Sequence, residues 1–256
     1  MRRSKRRIAA VLTLATVGAL AVAGIAYATS STVSLKFTPS NVPTSTFQNG
    51  GLNLHTHTNY SDPNTQFTDK AQLNFDNDLK VNTGATPKCN KTSISGTKTM
   101  AQAMAACGSK LIGKGTATAA AGANTVHACV LAFNGSGTGG HVLLFTRANA
   151  APPFTMTCSN PSSNTQGNTN VLLDGAYTTN PSSLGGDFSG GKQLLFSGIH
   201  AASPLPLTDF NVTVGKPTVG NYVSARCHDG DHKWNLKTKF TYSSGTQTVN
   251  GSQTCS

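Results

Sequence analysis

Glutamate is absent from the 256 residues, so every acidic side chain is one of nine aspartates. Ordinary glycoside hydrolysis needs two carboxylates flanking the scissile bond, one of them held protonated. The aspartates here sit mostly in turn-like contexts such as Ser61-Asp62-Pro63, which argues against that chemistry. No two cysteines form the close C-x-x-C pair of a structural zinc site. A G-x-S-x-G elbow, a phosphate-binding glycine loop and a dinucleotide fingerprint are missing as well. Basic residues do not cluster with aromatics. The nearest approach is Lys233, Lys237 and Lys239 on one strand, which reads as a solvated face, and nucleic acid is not an expected partner.

The one long hydrophobic run lies at the N-terminus. Arg2, Arg3, Lys5, Arg6 and Arg7 precede an uncharged apolar stretch from Ile8 to about Ala28, which closes on Ala26-Tyr27-Ala28. A basic n-region, an apolar h-region and an A-x-A end are the marks of a secretory signal peptide, expected over residues 1–28. Left uncleaved, a run of about 20 apolar residues is also long enough to anchor the chain in a bilayer. That would be its only membrane contact. The formal charge of +11 includes five leader cations. Without residues 1–28, 15 basic residues face nine acidic ones, a modest net +6. Attraction to an acidic wall polymer is compatible with that sign. Leu205-Pro206-Leu207-Thr208 begins like a wall-sorting signal, but Asp209 stands where glycine is needed.

All six cysteines (Cys89, Cys107, Cys129, Cys158, Cys227 and Cys255) fall in the exported part. An even count in an exported chain reads as disulfides, although six cysteines allow 15 connectivities. Pairing sequence neighbours is the simplest expectation: Cys89–Cys107, Cys129–Cys158 and Cys227–Cys255. The implied localisation is secreted or cell-surface associated.

With Glu missing and Thr, Asn, Gly and Ser plentiful, strands and turns are favoured over helix interiors. Apolar alternation marks Val33-Leu35-Phe37, Leu52-Leu54 after a turn at Asn49-Gly50-Gly51, Leu73-Phe75, and Leu79-Val81. Val126–Phe133 is apolar on both faces, as in a central strand of a packed sandwich, and Val142–Phe145 returns beside it. Val171–Tyr177, Gln193–Ile199 and Phe210–Val214 follow. The last third reads as a meander with a hairpin turn at Asp229-Gly230-Asp231. Thr97–Cys107 alone has helical spacing, through Met100, Ala103, Met104 and Cys107. The expected fold is mainly β, an antiparallel β-sandwich or jelly roll with one short helix near 97–107. It forms one domain over residues 29–256, or two small sandwiches split near 150–165.

His55-Thr56-His57 is the main chemical lead. Residues two apart on a strand share a face, so both imidazoles can address one divalent metal ion. Leu52 and Leu54 claim the opposite face. A third ligand is needed, with Asp62, His141, His200, His228 and Asp231 as candidates; otherwise the pair is an ordinary polar surface. His228-Asp229-Gly230-Asp231-His232 has donors for an ion but lacks the closing bidentate acid of a calcium loop. Ser95-Gly96-Thr97-Lys98 matches S-x-x-K without its companion motifs. Trp234 alternates with Leu236 and Phe240 and belongs on the core side.

Several stretches go together: Leu35-Lys36-Phe37-Thr38-Pro39-Ser40, His55-Thr56-His57-Thr58-Asn59-Tyr60, Thr99-Met100-Ala101-Gln102-Ala103-Met104, Asn221-Tyr222-Val223-Ser224-Ala225-Arg226-Cys227 and Lys233-Trp234-Asn235-Leu236. Together they resemble a group of uncharacterised exported proteins of actinobacteria, over most of the exported chain. The resemblance implies export and an actinobacterial setting, and brings no activity, ligand or site residue. The expected function is a non-catalytic extracellular or cell-envelope module, structural or binding. Its expected partners are a cell-wall polymer, carbohydrate or another envelope protein. The rival is a metal-dependent extracellular enzyme built on His55 and His57.

Overall fold

The computed structural model describes residues 29–62 and 65–256; the expected leader, residues 1–28, lies outside them. The strands are β1 (Ser30–Thr38), β2 (Gln48–Asn59), β3 (Thr68–Phe75), β4 (Leu79–Val81), β5 (Leu111–Ala121), β6 (Asn124–Gly135) and β7 (His141–Ala148). They continue with β8 (Thr169–Thr179), β9 (Lys192–Ser197), β10 (Leu207–Gly215), β11 (Val223–Ala225), β12 (Lys233–Tyr242) and β13 (Gly245–Thr254). Three short α-helices, α1 (Lys91–Ser95), α2 (Met100–Cys107) and α3 (Ile199–Ala202), accompany them.

The fold is mainly antiparallel β, as expected. The 13 strands form one sheet in the order β13-β12-β3-β9-β8-β7-β6-β5-β10-β2-β11-β4, with β1 added on β2. This sheet curls until its layers face each other in a sandwich-like wrap around one core. Its two ends meet where β1 lies along β13. There the backbone ladder is replaced by side chains: Gln247 accepts from the Ser31 N–H at 2.8 Å, and Gln253 binds both the N–H and the C=O of Phe37. An otherwise open edge is thereby covered. β7 and β8 flank the 150–165 interval and pair with each other over eight residues.

Alternation decides what each strand buries. Val33, Leu35 and Phe37 of β1, Leu73 and Phe75 of β3, and Trp234, Leu236 and Phe240 of β12 all enter the main core. Phe37 meets Trp234 edge-on at 5.1 Å, and the Trp234 indole donates to the Arg226 carbonyl at 2.7 Å. β6 is apolar on both faces because it has two partners. Ala128, Val130 and Ala132 face the main core, while Cys129, Leu131 and Phe133 face a second cluster beneath α1 and α2. That cluster includes Ile94, Met100, Ala103 and Cys107, so the Met and Ala stripe of α2 is core contact. Thr99 caps α2 by accepting from Gln102 N–H, and Gln102 Oε1 accepts from Lys98 N–H.

The disulfides are the three expected ones. Cys89–Cys107 pins the helical layer, Cys129–Cys158 ties β6 to the segment between β7 and β8, and Cys227–Cys255 fastens the end of β13. Among the described residues, no helix is long and apolar enough to cross a membrane.

Two local expectations are corrected, and two elements went unannounced. Asn49-Gly50-Gly51 is not a turn; it lies inside β2, where a Cβ on Gly50 would overlap the Phe37 ring and one on Gly51 the Lys216 carbonyl. β5 and α1 carry no apolar alternation strong enough to announce them. The turn at Asp229-Gly230-Asp231 exists but closes no hairpin, because β11 pairs with β2 and β4 while β12 pairs with β13 and β3.

Candidate functional site

The inward faces do not fill the space they enclose. A cavity of about 100 Å³ remains, walled by Leu52 and Leu54 of β2, Leu73 of β3, Leu173 and Tyr177 of β8, Phe196 of β9, and Phe210, Val212 and Val214 of β10. Leu54, Leu173, Phe210 and Val214 pack against the core yet stay only partly buried, because each also borders the cavity. On the scale of core-deletion mutants, an empty apolar void of this size costs about 2 kcal/mol.

Polar groups gather at one end. Thr56, Thr58 and Thr68 join the lining there. Thr58 meets Ser31 Oγ at 2.7 Å, Ser31 Oγ also bonds the Tyr242 hydroxyl, and the Tyr60 hydroxyl lies 2.8 Å from Thr68 Oγ1. Burial pushes the Tyr242 phenol up to about 12 and raises that of Tyr60. Both stay neutral and stand behind the lining threonines, Tyr60 on Thr68 and Tyr242 through Ser31 on Thr58. Tyr177, also in the lining, is likewise pushed up to about 12 by burial.

His55 and His57 project from the opposite, outward face of β2, as the Leu52–Leu54 alternation requires. Asp209 of β10 stands directly across from His57, and one carboxylate oxygen serves both rings. Asp209 Oδ2 lies 2.7 Å from His55 Nε2 and 3.5 Å from His57 Nδ1. None of the five expected third ligands supplies this contact. Thr65 donates to Asp62 at 2.7 Å, His141 bonds Asp174 at 2.6 Å, and His200 stacks on Phe67. His228 and Asp231 belong to the loop after β11. Asp209 precedes the Phe210–Val214 alternation, which turns it outward, and only the β2–β10 pairing sets it beside His57; the β10–β5 register shifts just before it, between Leu207 and Asp209. The extra residue lets Leu207 face the cavity together with Phe210.

At the other end, Asp76 and Asp78 are fully buried. Asp78 takes Arg226 Nε at 2.7 Å on one oxygen and the backbone N–H groups of His228 and Asp229 on the other. Asp76 accepts from the N–H groups of Asp78 and Asn235. Burial outweighs these donors and pushes the Asp76 carboxyl up to about 7. Among the described residues, Asp78, His228 and Asp229 form the trio whose donor atoms all lie within 4.8 Å. However, the Asp78 oxygens already hold a guanidinium and two amides, so the cluster reads as a charge-compensated brace between β3 and the β11–β12 loop.

The remaining leads resolve as structure. Ser95 closes α1 and donates to Thr92 C=O at 3.2 Å. Lys233 and Lys239 are exposed on the outer face of β12. Tyr222 and Trp234 are fully buried. No protein-family model, curated protein or solved structure matches this chain.

Proposed function

We propose that this chain is a non-catalytic binding module, secreted or held at the cell envelope, that admits a slender apolar group into its wrapped sheet. The observation carrying this reading is the unfilled cavity with its hydrocarbon lining and hydroxyl-bearing end. Apolar cavities stay dry and take apolar guests, and a cavity of this size accepts part of a molecule, not a bulky one. A hydrocarbon chain carrying a polar end group fits both features: the chain enters between β2, β8 and β10, and Thr56, Thr58 and Thr68 meet the polar end, backed by Ser31, Tyr60 and Tyr242. Export is supported by the basic, apolar, A-x-A leader and by three disulfides with no free cysteine.

The test is saturable binding of cis-parinaric acid, displaced by laurate, to tag-free protein lacking residues 1–28. One site per chain is expected. Leu54→Trp and Leu173→Trp, which fill the cavity, should each weaken binding at least tenfold while circular dichroism stays unchanged. A wild-type protein that binds nothing saturably, or folded variants that bind equally well, would overturn the reading.

A further inference from the structure

We infer that His55, His57 and Asp209 form a surface site for one divalent transition-metal ion of the zinc and copper type, on the outer wall and independent of the cavity. One carboxylate oxygen links two imidazoles across two paired strands: Asp209 Oδ2 contacts both His55 Nε2 and His57 Nδ1. Metal–ligand bonds of 2.0–2.1 Å in a tetrahedral site separate neighbouring donors by about 3.3 Å. The two carboxylate–imidazole distances, 2.7 Å and 3.5 Å, bracket that spacing. The two ring nitrogens stand more than 4.8 Å apart; binding has to close that gap by side-chain rotation, and both rings are exposed enough to turn (40% and 47%).

The donor set selects the ion. Two imidazoles and one carboxylate suit zinc, copper or nickel, while calcium and magnesium require mostly oxygen. No cation competes, because the ion-pair partners of Asp209 among the described residues are these two histidines. In the Asp78 cluster, by contrast, Arg226 already occupies the carboxylate. His57 Nε2 lies 3.1 Å from Asn59 Oδ1, an outer partner that steadies the ring with Nδ1 toward the ion. Three protein ligands on an open wall leave a position for water or for a donor from another molecule.

The experiment is isothermal titration of chelator-stripped, tag-free protein lacking residues 1–28 with Zn²⁺, with Ca²⁺ as control, followed by Cu²⁺ electron paramagnetic resonance. One Zn²⁺ per chain is expected, unaffected by millimolar Ca²⁺, and the Cu²⁺ spectrum should show coupling to two imidazole nitrogens. His55→Ala/His57→Ala should abolish binding, and Asp209→Asn should weaken it at least tenfold, while His228→Ala leaves it unchanged. All these positions are on the surface, and unchanged melting temperatures would verify the fold. Absence of stoichiometric Zn²⁺, displacement by Ca²⁺, or loss of binding in His228→Ala with retention in the double variant would each overturn the inference. Failure of the cavity reading leaves it untouched, since no lining residue takes part.

Discussion

Gln253 on the last strand grips Phe37 on the first by both ends of its amide: Oε1 accepts from Phe37 N–H, and Nε2 donates to Phe37 C=O at 3.0 Å. A side chain here does what a neighbouring backbone does elsewhere in the sheet. Gln253→Ala should therefore cost about 1–3 kcal/mol, the range for leaving partly buried backbone groups unpaired. Gln253→Glu keeps the acceptor, loses the donor and should fall between. Urea unfolding reads the cost. Amide exchange at Phe37 should accelerate in Gln253→Ala beyond the change at strands far from the seam, such as β7.

Asp76 makes stability depend on pH in an unusual direction. Its carboxyl titrates near 3.8 when exposed and about 7 when folded. Between those values the folded state holds a proton that the unfolded state has released, so stability falls as pH rises from about 4 to 7. The full shift is on the order of 4 kcal/mol. Asp229, also raised by burial, acts in the same sense. Denaturation midpoints should be higher at pH 5 than at pH 8. Asp76→Asn should flatten that slope while lowering overall stability, because its amide NH2 cannot accept from the second of the two N–H donors. A midpoint that rises from pH 5 to pH 8 would contradict the assignment.

What the sequence discloses follows from where information is local. The faces of β1, β2 and β12 are readable because Val33-Leu35-Phe37, Leu52-Leu54 and Trp234-Leu236 alternate strictly and one face is buried. Burial of β6 on both faces is readable, but its cause, a helical layer over the outer face, is not. β5 is silent because Gly113, Gly115, Ala117 and Ala119 give no apolar rhythm. The His55–His57 face is local information, whereas its partner Asp209 depends on which strand lies beside β2 and in what register. The cavity is the least legible feature, being a remainder left when inward side chains from most of the strands fail to meet.

The three staples give a measurable expectation. Cys227 and Cys255 close a loop with a sequence separation of 28, and in the chain-entropy model a loop of that length adds about 3–4 kcal/mol. Cys227→Ser/Cys255→Ser should lose about that much in urea unfolding and loosen the last strand first. Native protein should show no reactive thiol, and six after reduction in denaturant. Full thiol reactivity in native protein would remove the oxidising-compartment argument together with this one.

Two glycines separate close approach from mere turn preference. Gly50 is buried in β2, where an added Cβ meets the Phe37 ring and the Thr38 carbonyl oxygen; Gly230 is exposed in the loop after β11, with nothing within 4 Å of the same added atom. Gly50→Ala has to displace backbone as well as a ring, so it should cost about 1–3 kcal/mol or more. Gly230→Ala meets no obstacle, and its effect should stay within about 0.5 kcal/mol, with any gain coming from a stiffer unfolded chain. For a protein of this length, 1 kcal/mol moves the melting temperature by about 2–4 °C. Calorimetry should therefore show a clear drop for Gly50→Ala and almost none for Gly230→Ala. Equal melting temperatures for the two variants would mean that β1 and β2 do not approach as closely at Phe37 as the packing of Trp234 against it demands.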